Sequence, residues 1–255
     1  MVERIPRVIN YCWFGENKLP EQYIKYIESW KKFCPEYEIV EWNESNFDIE
    51  ENKYCKEAYQ AKKWAFVSDY ARLKIIYQNG GIYLDTDIEL LKPLENLLEK
   101  ENGFIGFQNR EQVTTGLGFA ALPNDSCVGQ MLDMYKDRSF FKNDGKMDLT
   151  PCPVLNTVAL RKCGLKTGPR GSNDVQRLNE MIVYPVEYFN PMDRNTGELK
   201  ITENTYMIHH YAGTWLNGNQ AITRTIKKLL PKWALEMREN IISKASVENM
   251  EKENG

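Results

Sequence analysis

The chain has no surplus of positive charge and no long apolar run. Lysine and arginine number 33 against 36 aspartates and glutamates, so the formal net charge is −3. This balance provides no general attraction to a polyanion and argues against nucleic acid as a partner. No stretch approaches the roughly 18 apolar residues of a membrane span, and the first residues contain no apolar segment of a secretion signal. We therefore expect a cytoplasmic protein.

The sequence is also poor in the residues that form disulfide frameworks. Six cysteines are scattered without a C-x-x-C pair. A chain of 255 residues can build its core without disulfides, so we expect reduced thiols. There is no internal repeat, and 42% hydrophobic with 12% aromatic residues excludes a disordered, collagen-like or coiled-coil chain. The length favours one large domain or one domain with a helical addition.

Strand and helix patterns alternate in the first hundred residues. β-branched and aromatic residues predict strands over 7–13 and 37–42, and apolar residues at helical spacing lie between them over 20–35. A stronger helical repeat covers 64–79, after which Ile82–Leu84 predicts a short buried strand. This alternation predicts an α/β sheet that binds ligands at the carboxyl ends of its strands.

The second half has a mixed pattern that predicts an α+β architecture. The expected elements are strands over 104–107, 117–122, 182–184 and 206–211 and helices over 125–137 and 153–163. From about residue 220 we expect a basic amphipathic helix, interrupted at Pro231 and ending in a frayed polar tail. Its basic residues are Arg224, Lys227, Lys228 and Lys232.

Two groups of charged residues surround the third predicted strand. The triplet Asp85–Asp87 places two carboxylates at the strand end, where they suit a divalent cation that neutralises a departing diphosphate. The triplet alone is a weak signal. On the preceding helix, Asp69 and Arg72 lie three residues apart with Ser68 beside them. They can form a structural ion pair, or Asp69 can orient the guanidinium toward sugar or phosphate oxygens.

The only two histidines, His209 and His210, end a strand-like run and precede a small-residue turn and Trp215. A histidine is often a packed core residue, but we expect at least one of these to approach the metal or the diphosphate. Trp215 can cover a base or sugar face, or it can simply pack.

Together these motifs resemble glycosyltransferase family 32, whose members carry a DXD motif and are distantly similar to the glucosylating domains of large clostridial toxins. The resemblance covers roughly residues 4 to 216 and leaves the C-terminal helix unmatched. Two positions depart from the family pattern: Asn10 stands where many relatives have histidine, and Thr214 where serine is commoner. The matching segments are, in order, Ile5–Gly15, Ala65–Arg72, Gly80–Asp87, Thr167–Pro169 and His209–Trp215.

The resemblance implies a GT-A fold within residues 1–218. Residues 1–100 would form a Rossmann-like nucleotide-sugar-binding half and residues 101–218 a mixed α+β acceptor half, followed by a C-terminal amphipathic helix and polar tail over 219–255. It also implies a divalent cation, Mn²⁺ or Mg²⁺, and a nucleotide sugar as donor. The implied catalytic residues are Asp69, Arg72, Asp85 and Asp87. The implied metal ligands are Asp87, His210, His209 and Asp85, and the implied donor-binding residues are Trp13, Ser68, Tyr83, Thr214 and Trp215.

The implied activity is retaining transfer of a hexose, with UDP-glucose or UDP-galactose favoured and GDP-mannose left open. The acceptor would be a glycan of bacterial capsular or other surface polysaccharide synthesis, with a lipid-linked oligosaccharide as one candidate. The basic stretch from Arg224 to Lys232 would then rest on the inner face of the cell membrane, unless it is only a solvated helix face. Two alternatives stay open: a haloacid-dehalogenase-like phosphatase using Asp85 and Asp87, and a non-catalytic carbohydrate-binding module.

Overall fold

The structure is a computed structural model that describes residues 4–98, 103–169, 171–193, 196–211 and 231–254. Its strands are β1 (Val8–Cys12), β2 (Glu38–Trp42), β3 (Gly81–Tyr83), β4 (Ile88–Leu90), β5 (Gly103–Asn109), β6 (Gln112–Thr114), β7 (Phe119–Ala121), β8 (Gln176–Leu178), β9 (Met181–Tyr184) and β10 (Met207–His209). Its helices are α1 (Glu21–Phe33), α2 (Lys53–Gln60), α3 (Trp64–Asn79), α4 (Glu95–Leu98), α5 (Ser126–Asp133), α6 (Cys152–Lys162), α7 (Val186–Phe189) and α8 (Lys232–Asn254). The predicted α/β class is confirmed.

One mixed sheet extends through both predicted halves of the chain. Its order is β2-β1-β3-β7-β5-β9-β8, and β6 pairs with β5. Strand β1 lies parallel to both β2 and β3, so the carboxyl ends of these strands meet at one edge of the sheet. Strand β7 then runs antiparallel to β3 and to β5. The loop after β3 therefore lies where the sequence predicts a ligand site.

Asn10 is a structural residue of this sheet. Its side chain is 2% exposed and accepts a hydrogen bond from Trp42 Nε1 at 2.8 Å. Its amide donates to Ile82 O at 3.2 Å, so one side chain links all three parallel strands. At this position many relatives have histidine. The asparagine of this chain forms hydrogen bonds inside the sheet with both its side-chain oxygen and its amide nitrogen.

A small second sheet holds the histidine segment against the loop that follows β3. Strand β10 pairs antiparallel with β4, with His209 opposite Ile88. The indole nitrogen of Trp30 on α1 donates to Ile88 O at 2.7 Å and fixes the position of β4. Residues more than a hundred positions apart in the chain become neighbours through this pairing.

Helix α3 is buried because helices α2 and α5 and the sheet surround it. Its buried residues include apolar ones, such as Val67 and Leu73. The charged residues Asp69 and Arg72 are buried as well. The helix ends at Gly80, whose φ of +66° is readily adopted only by glycine. The predicted helix over 64–79 is confirmed with both of its boundaries.

The second half has shorter elements than its sequence pattern predicts. The helix expected over 125–137 ends at Asp133, and the strand expected over 117–122 covers only β7, after a 3₁₀ turn at Thr115–Leu117. The predicted frayed tail is wrong. Helix α8 continues to Asn254, and its residues Val247 and Met250 are buried in the core. The spacing of these two apolar residues is helical, but the many charges around them obscure the pattern.

The predicted basic residues Arg224, Lys227 and Lys228 lie outside the described residues. No helix within the described ranges has an apolar stretch long enough to cross a bilayer.

Candidate active site

Two aspartates of the loop between β3 and β4 lie close to a histidine at the end of β10. Asp85, Asp87 and His209 each place one ligand atom within 4.8 Å of the others. His209 Nε2 lies 3.3 Å from Asp87 Oδ2, because β10 pairs with β4 directly after the Asp85–Asp87 loop. The other ring nitrogen, His209 Nδ1, is buried and has no hydrogen-bond partner in the described part of the chain.

This donor set fits a divalent cation. Carboxylate oxygens with an imidazole nitrogen suit Mn²⁺, and the carboxylates alone suit Mg²⁺. Burial raises the pKa of Asp85 to about 6; nearby Arg72 opposes this rise and Asp87 adds to it. A positive charge placed between Asp85 and Asp87 would relieve their repulsion and favour the ionised carboxylates.

Arg72 connects helix α3 to the aspartate loop. Its Nη2 atom lies 3.1 Å from Asp69 Oδ1 and 3.3 Å from Asp85 Oδ1, and the side chain is 4% exposed. Its Nε donates to Ser68 O at 3.0 Å. The Asp69–Arg72 ion pair that the sequence leaves open therefore exists, and it extends to the first aspartate of the D-x-D triplet. Whether Asp69 and Arg72 also contact the transferred sugar stays a prediction.

Tyr83 lies under the aspartates rather than in the open site. The side chain is 1% exposed, its hydroxyl donates to Asp85 Oδ1 at 3.0 Å, and the Arg72 guanidinium lies 5.0 Å from its ring centre. The hydrogen bond from its hydroxyl places Tyr83 beneath Asp85. In the structure Tyr83 positions Asp85, and its role as a donor contact stays a prediction. Ser68, on α3, is half-buried, and its backbone carbonyl accepts the hydrogen bond from Arg72 Nε. Its role in donor binding stays a prediction.

The structure separates the two histidines. His210 Nε2 lies 2.8 Å from Glu89 Oε2, and its ring stacks on Tyr26 with the centroids 4.3 Å apart. Consecutive residues of an extended segment point to opposite sides, so His209 faces the aspartates and His210 does not. The role of His210 as a metal ligand stays a prediction, and the cluster with the two aspartates is formed by His209.

The remaining predicted donor-binding residues divide into two groups. Trp13 follows β1 at the sheet edge, is partly exposed, donates from Nε1 to Asn17 O at 2.6 Å and packs on Tyr23. Its stacking on a base stays a prediction. Thr214 and Trp215 lie outside the described residues.

Gly116 is a site residue that the sequence analysis did not identify. A Cβ atom at this position would lie 3.0 Å from Asp85 Oδ2 and 3.2 Å from Arg72 Nη1. The turn that carries it is held by Asn156 on α6, whose Oδ1 accepts from Thr115 N and Thr115 Oγ1 at 3.1 Å each. A glycine within an otherwise apolar strand region is a signal of close approach, but nothing local says to which residues.

Comparison with known proteins identifies the region around these residues. Residues 20–104 match the family described as a glycosyltransferase sugar-binding region containing a DXD motif. This part of the chain is similar to that family. The matched residues include Asp69, Arg72 and the Asp85–Asp87 triplet, and the match confirms the predicted resemblance. It favours sugar transfer over the phosphatase and carbohydrate-binding alternatives.

Individual proteins that the chain resembles are named as glycosyltransferases. The chain is 30% identical over 106 residues to inositol phosphoceramide mannosyltransferase 1 of Schizosaccharomyces pombe, covering 39% of this chain and 33% of that protein. It is 27% identical over 169 residues to human alpha-1,4-N-acetylglucosaminyltransferase, covering 62% of this chain and 45% of that protein. The matches thus span less than half of either relative. Among solved structures, the PaToxG glycosyltransferase aligns with a TM-score of 0.45 and 20% identity over 63% of this chain and 70% of its own.

Proposed function

We propose that the protein is a metal-dependent, retaining glycosyltransferase of the GT-A type that moves a hexose from a nucleotide sugar to a glycan acceptor. The observation that carries this proposal is the cluster of Asp85, Asp87 and His209 after β3, inside a matched DXD region. Residues 1–218 would form the transferase domain, with the donor bound mainly by the first hundred residues and the acceptor by the rest.

In this function, Asp87 and His209 would hold the cation, with Asp85 beside them. A bound Mn²⁺ or Mg²⁺ supplies charge neutralisation for the departing diphosphate. Arg72 and Tyr83 fix the Asp85 carboxylate from below, which keeps the donor-facing oxygens in place before the donor binds. Catalysis would then depend on positioning and on stabilisation of the leaving group.

The identity of the donor is the least constrained part of the proposal. UDP-glucose or UDP-galactose is our lead. The names of the relatives support including mannose and N-acetylglucosamine donors. We further propose a glycan acceptor of bacterial surface polysaccharide synthesis, lipid-linked in one version, and a cytoplasmic location at the membrane. These finer assignments are carried by the family resemblance.

A thermal-shift panel tests the proposal. UDP-glucose, UDP-galactose, UDP-N-acetylglucosamine and GDP-mannose are each added with and without Mn²⁺. A donor present at about 100 times its Kd adds about 2.7 kcal/mol of stability, or roughly 5–10 °C in Tm. We expect such a shift for one donor with Mn²⁺, and its loss in Asp87→Asn.

The matched control is Asp144→Asn, which removes a carboxylate that is paired with Lys146 at the surface. This variant should keep the full metal-dependent shift. Slow metal-dependent hydrolysis of the same donor would then confirm the reaction class. The absence of a shift with every nucleotide sugar would contradict the proposal, and release of phosphate from a phosphomonoester would favour the phosphatase instead.

A further inference from the structure

His209 contacts both the aspartate loop and a second aromatic side chain. Its Nε2 lies 3.3 Å from Asp87 Oδ2, and its ring packs against Tyr211 with the centroids 4.2 Å apart. A metal-binding histidine is usually oriented by a hydrogen bond from its second ring nitrogen. His209 Nδ1 is buried and has no such partner within the described ranges. In this part of the chain, the contact with Tyr211 thus takes the place of that hydrogen bond.

Tyr211 has a backbone conformation that its surroundings must hold in place. Its φ of +48° lies in the left-handed region, which is strained for a residue other than glycine. The side chain is half-buried, and its hydroxyl accepts a hydrogen bond from Asn190 Nδ2 at 2.5 Å. A strained residue beside a candidate metal ligand points to a function for the contact that holds it.

Asn190 connects Tyr211 to the main sheet. It directly follows α7 and is 6% exposed, and its Nδ2 also donates to Gln108 O at 2.9 Å, near the end of β5. Its backbone N–H donates to Val186 O at 2.8 Å, which fixes the residue to the start of α7. The side-chain amide therefore has one acceptor in the sheet and one in the histidine segment.

We propose that Asn190 is a positioning residue for the metal site and acts through Tyr211 on the ring of His209. This inference rests on the proposed function, in which Asp87 and His209 hold the cation. A ligand that is already held in its binding orientation loses less freedom when the ion binds, so the affinity for the ion is higher. Asn190 would provide this support from the end of β5, without contacting the cation itself.

Mn²⁺ binding tests this inference without any sugar donor. The protein is titrated with the ion alone, and free Mn²⁺ is measured by electron paramagnetic resonance. We expect Asn190→Leu to lower the affinity about 10- to 100-fold, because a side chain of similar size without N–H groups no longer holds Tyr211. Tyr211→Phe keeps the ring and removes the hydroxyl, so it should have a similar effect. The double variant should lose no more affinity than the single variants do, since both remove the same hydrogen bond.

The matched control is Asn204→Leu. Asn204 Nδ2 donates to Glu187 Oε1 at 2.9 Å, so this asparagine also bonds to α7, but its partner is not in the histidine segment. The control should bind Mn²⁺ as the wild type does. Circular dichroism and the metal-free Tm verify that each variant is folded. A lower metal-free Tm of Asn190→Leu with unchanged Mn²⁺ affinity would give Asn190 a purely structural role and overturn the inference.

Nuclear magnetic resonance reports on the histidine ring in the absence of metal. The chain contains only two histidines, so tag-free protein with ¹³Cε1-labelled histidine gives two ring signals, and His210→Gln identifies the signal of His209. We expect Asn190→Leu to shift the His209 signal, because the ring current of Tyr211 changes when that ring moves. The His210 signal should not change, since this ring stacks on Tyr26.

The two measurements separate this inference from the proposed function. In Asn190→Leu, an unshifted His209 signal or a Mn²⁺ affinity equal to that of the wild type would overturn the inference. Failure of the wild type to bind Mn²⁺ would contradict the proposed metal site itself, and the His209 signal alone would then decide whether Asn190 positions the ring.

Discussion

At the scale of single residues, Arg72 is the residue on which the candidate site depends most. It is buried between Asp69 and Asp85, and the first of these carboxylates is not part of the D-x-D triplet at all. Burial raises the pKa of Asp69, and the neighbouring guanidinium opposes this rise. The Arg72 guanidinium between the two carboxylates lowers the pKa of each and so opposes the effect of burial.

Replacing Arg72 with methionine should lower the free energy of unfolding by about 3–5 kcal/mol, because the buried Asp69 carboxylate and the partly buried Asp85 carboxylate lose their partner. Urea denaturation at neutral pH measures this loss. Arg72→Lys should retain part of the stability, since an ammonium group has the charge but not the planar fork that reaches both carboxylates.

Lys31→Met is the matched control, because Lys31 and Glu28 form an ion pair with the same three-residue spacing at the surface. It should change stability by less than about 1 kcal/mol. A similar loss in both variants would show that the burial of Arg72 does not matter, which would contradict the role given to it here.

At the scale of secondary-structure elements, helix α8 has both buried and exposed apolar residues. Its C-terminal half contributes Val247 and Met250 to the core, and its N-terminal half presents Trp233 and Met237 outward. A helix with apolar residues on both sides has little net amphipathicity. For this reason the sequence pattern did not indicate a helix at the end of the chain, and we predicted a frayed polar tail there.

Truncating one methionine on each side of α8 distinguishes the two surfaces. Met250→Ala should lower the free energy of unfolding by about 2–3 kcal/mol, because it leaves a cavity in the core. Met237→Ala should change it by less than about 0.5 kcal/mol, since that side chain is exposed. Thermal or urea unfolding checks both values, and equal effects would contradict the packing of α8.

At the scale of the whole molecule, the core is built on the large mixed sheet and the helices packed against it, and the thiols are distributed through that core. All six cysteines are free, and five of them are buried. Burial raises the pKa of Cys34 to about 11 and that of Cys55 to about 12. A thiol reacts as its thiolate, so these groups are protected both by the fold and by their protonation.

Alkylation with iodoacetamide at pH 8 should therefore modify Cys163 first, because it is the partly exposed cysteine. The other five should react only after denaturation, when all six become available. Peptide mass spectrometry identifies the modified sites. Rapid modification of Cys12 or Cys152 in the native protein would show that the core around Arg72 opens, since burial raises the pKa of both thiols.

Local sequence patterns were sufficient for much of the first half. Helix α3 and the first three strands follow from residue periodicity, and the end of α3 follows from Gly80, because these features are local in the chain. The short-range motifs Asp85–Asp87 and Asp69–Arg72 could likewise be found as candidates without any structure. Asp69 and Arg72 are three residues apart on one helix and are therefore neighbours, and Asp85 and Asp87 both follow the end of one strand.

Long-range pairing decided the rest of the site. The pairing of β10 with β4 selected His209 and not His210 for the aspartate cluster. The antiparallel entry of β7 between β3 and β5 brought the Gly116 turn against Asp85. Such contacts join residues that are dozens of positions apart, and no local preference in the sequence specifies which partners will meet.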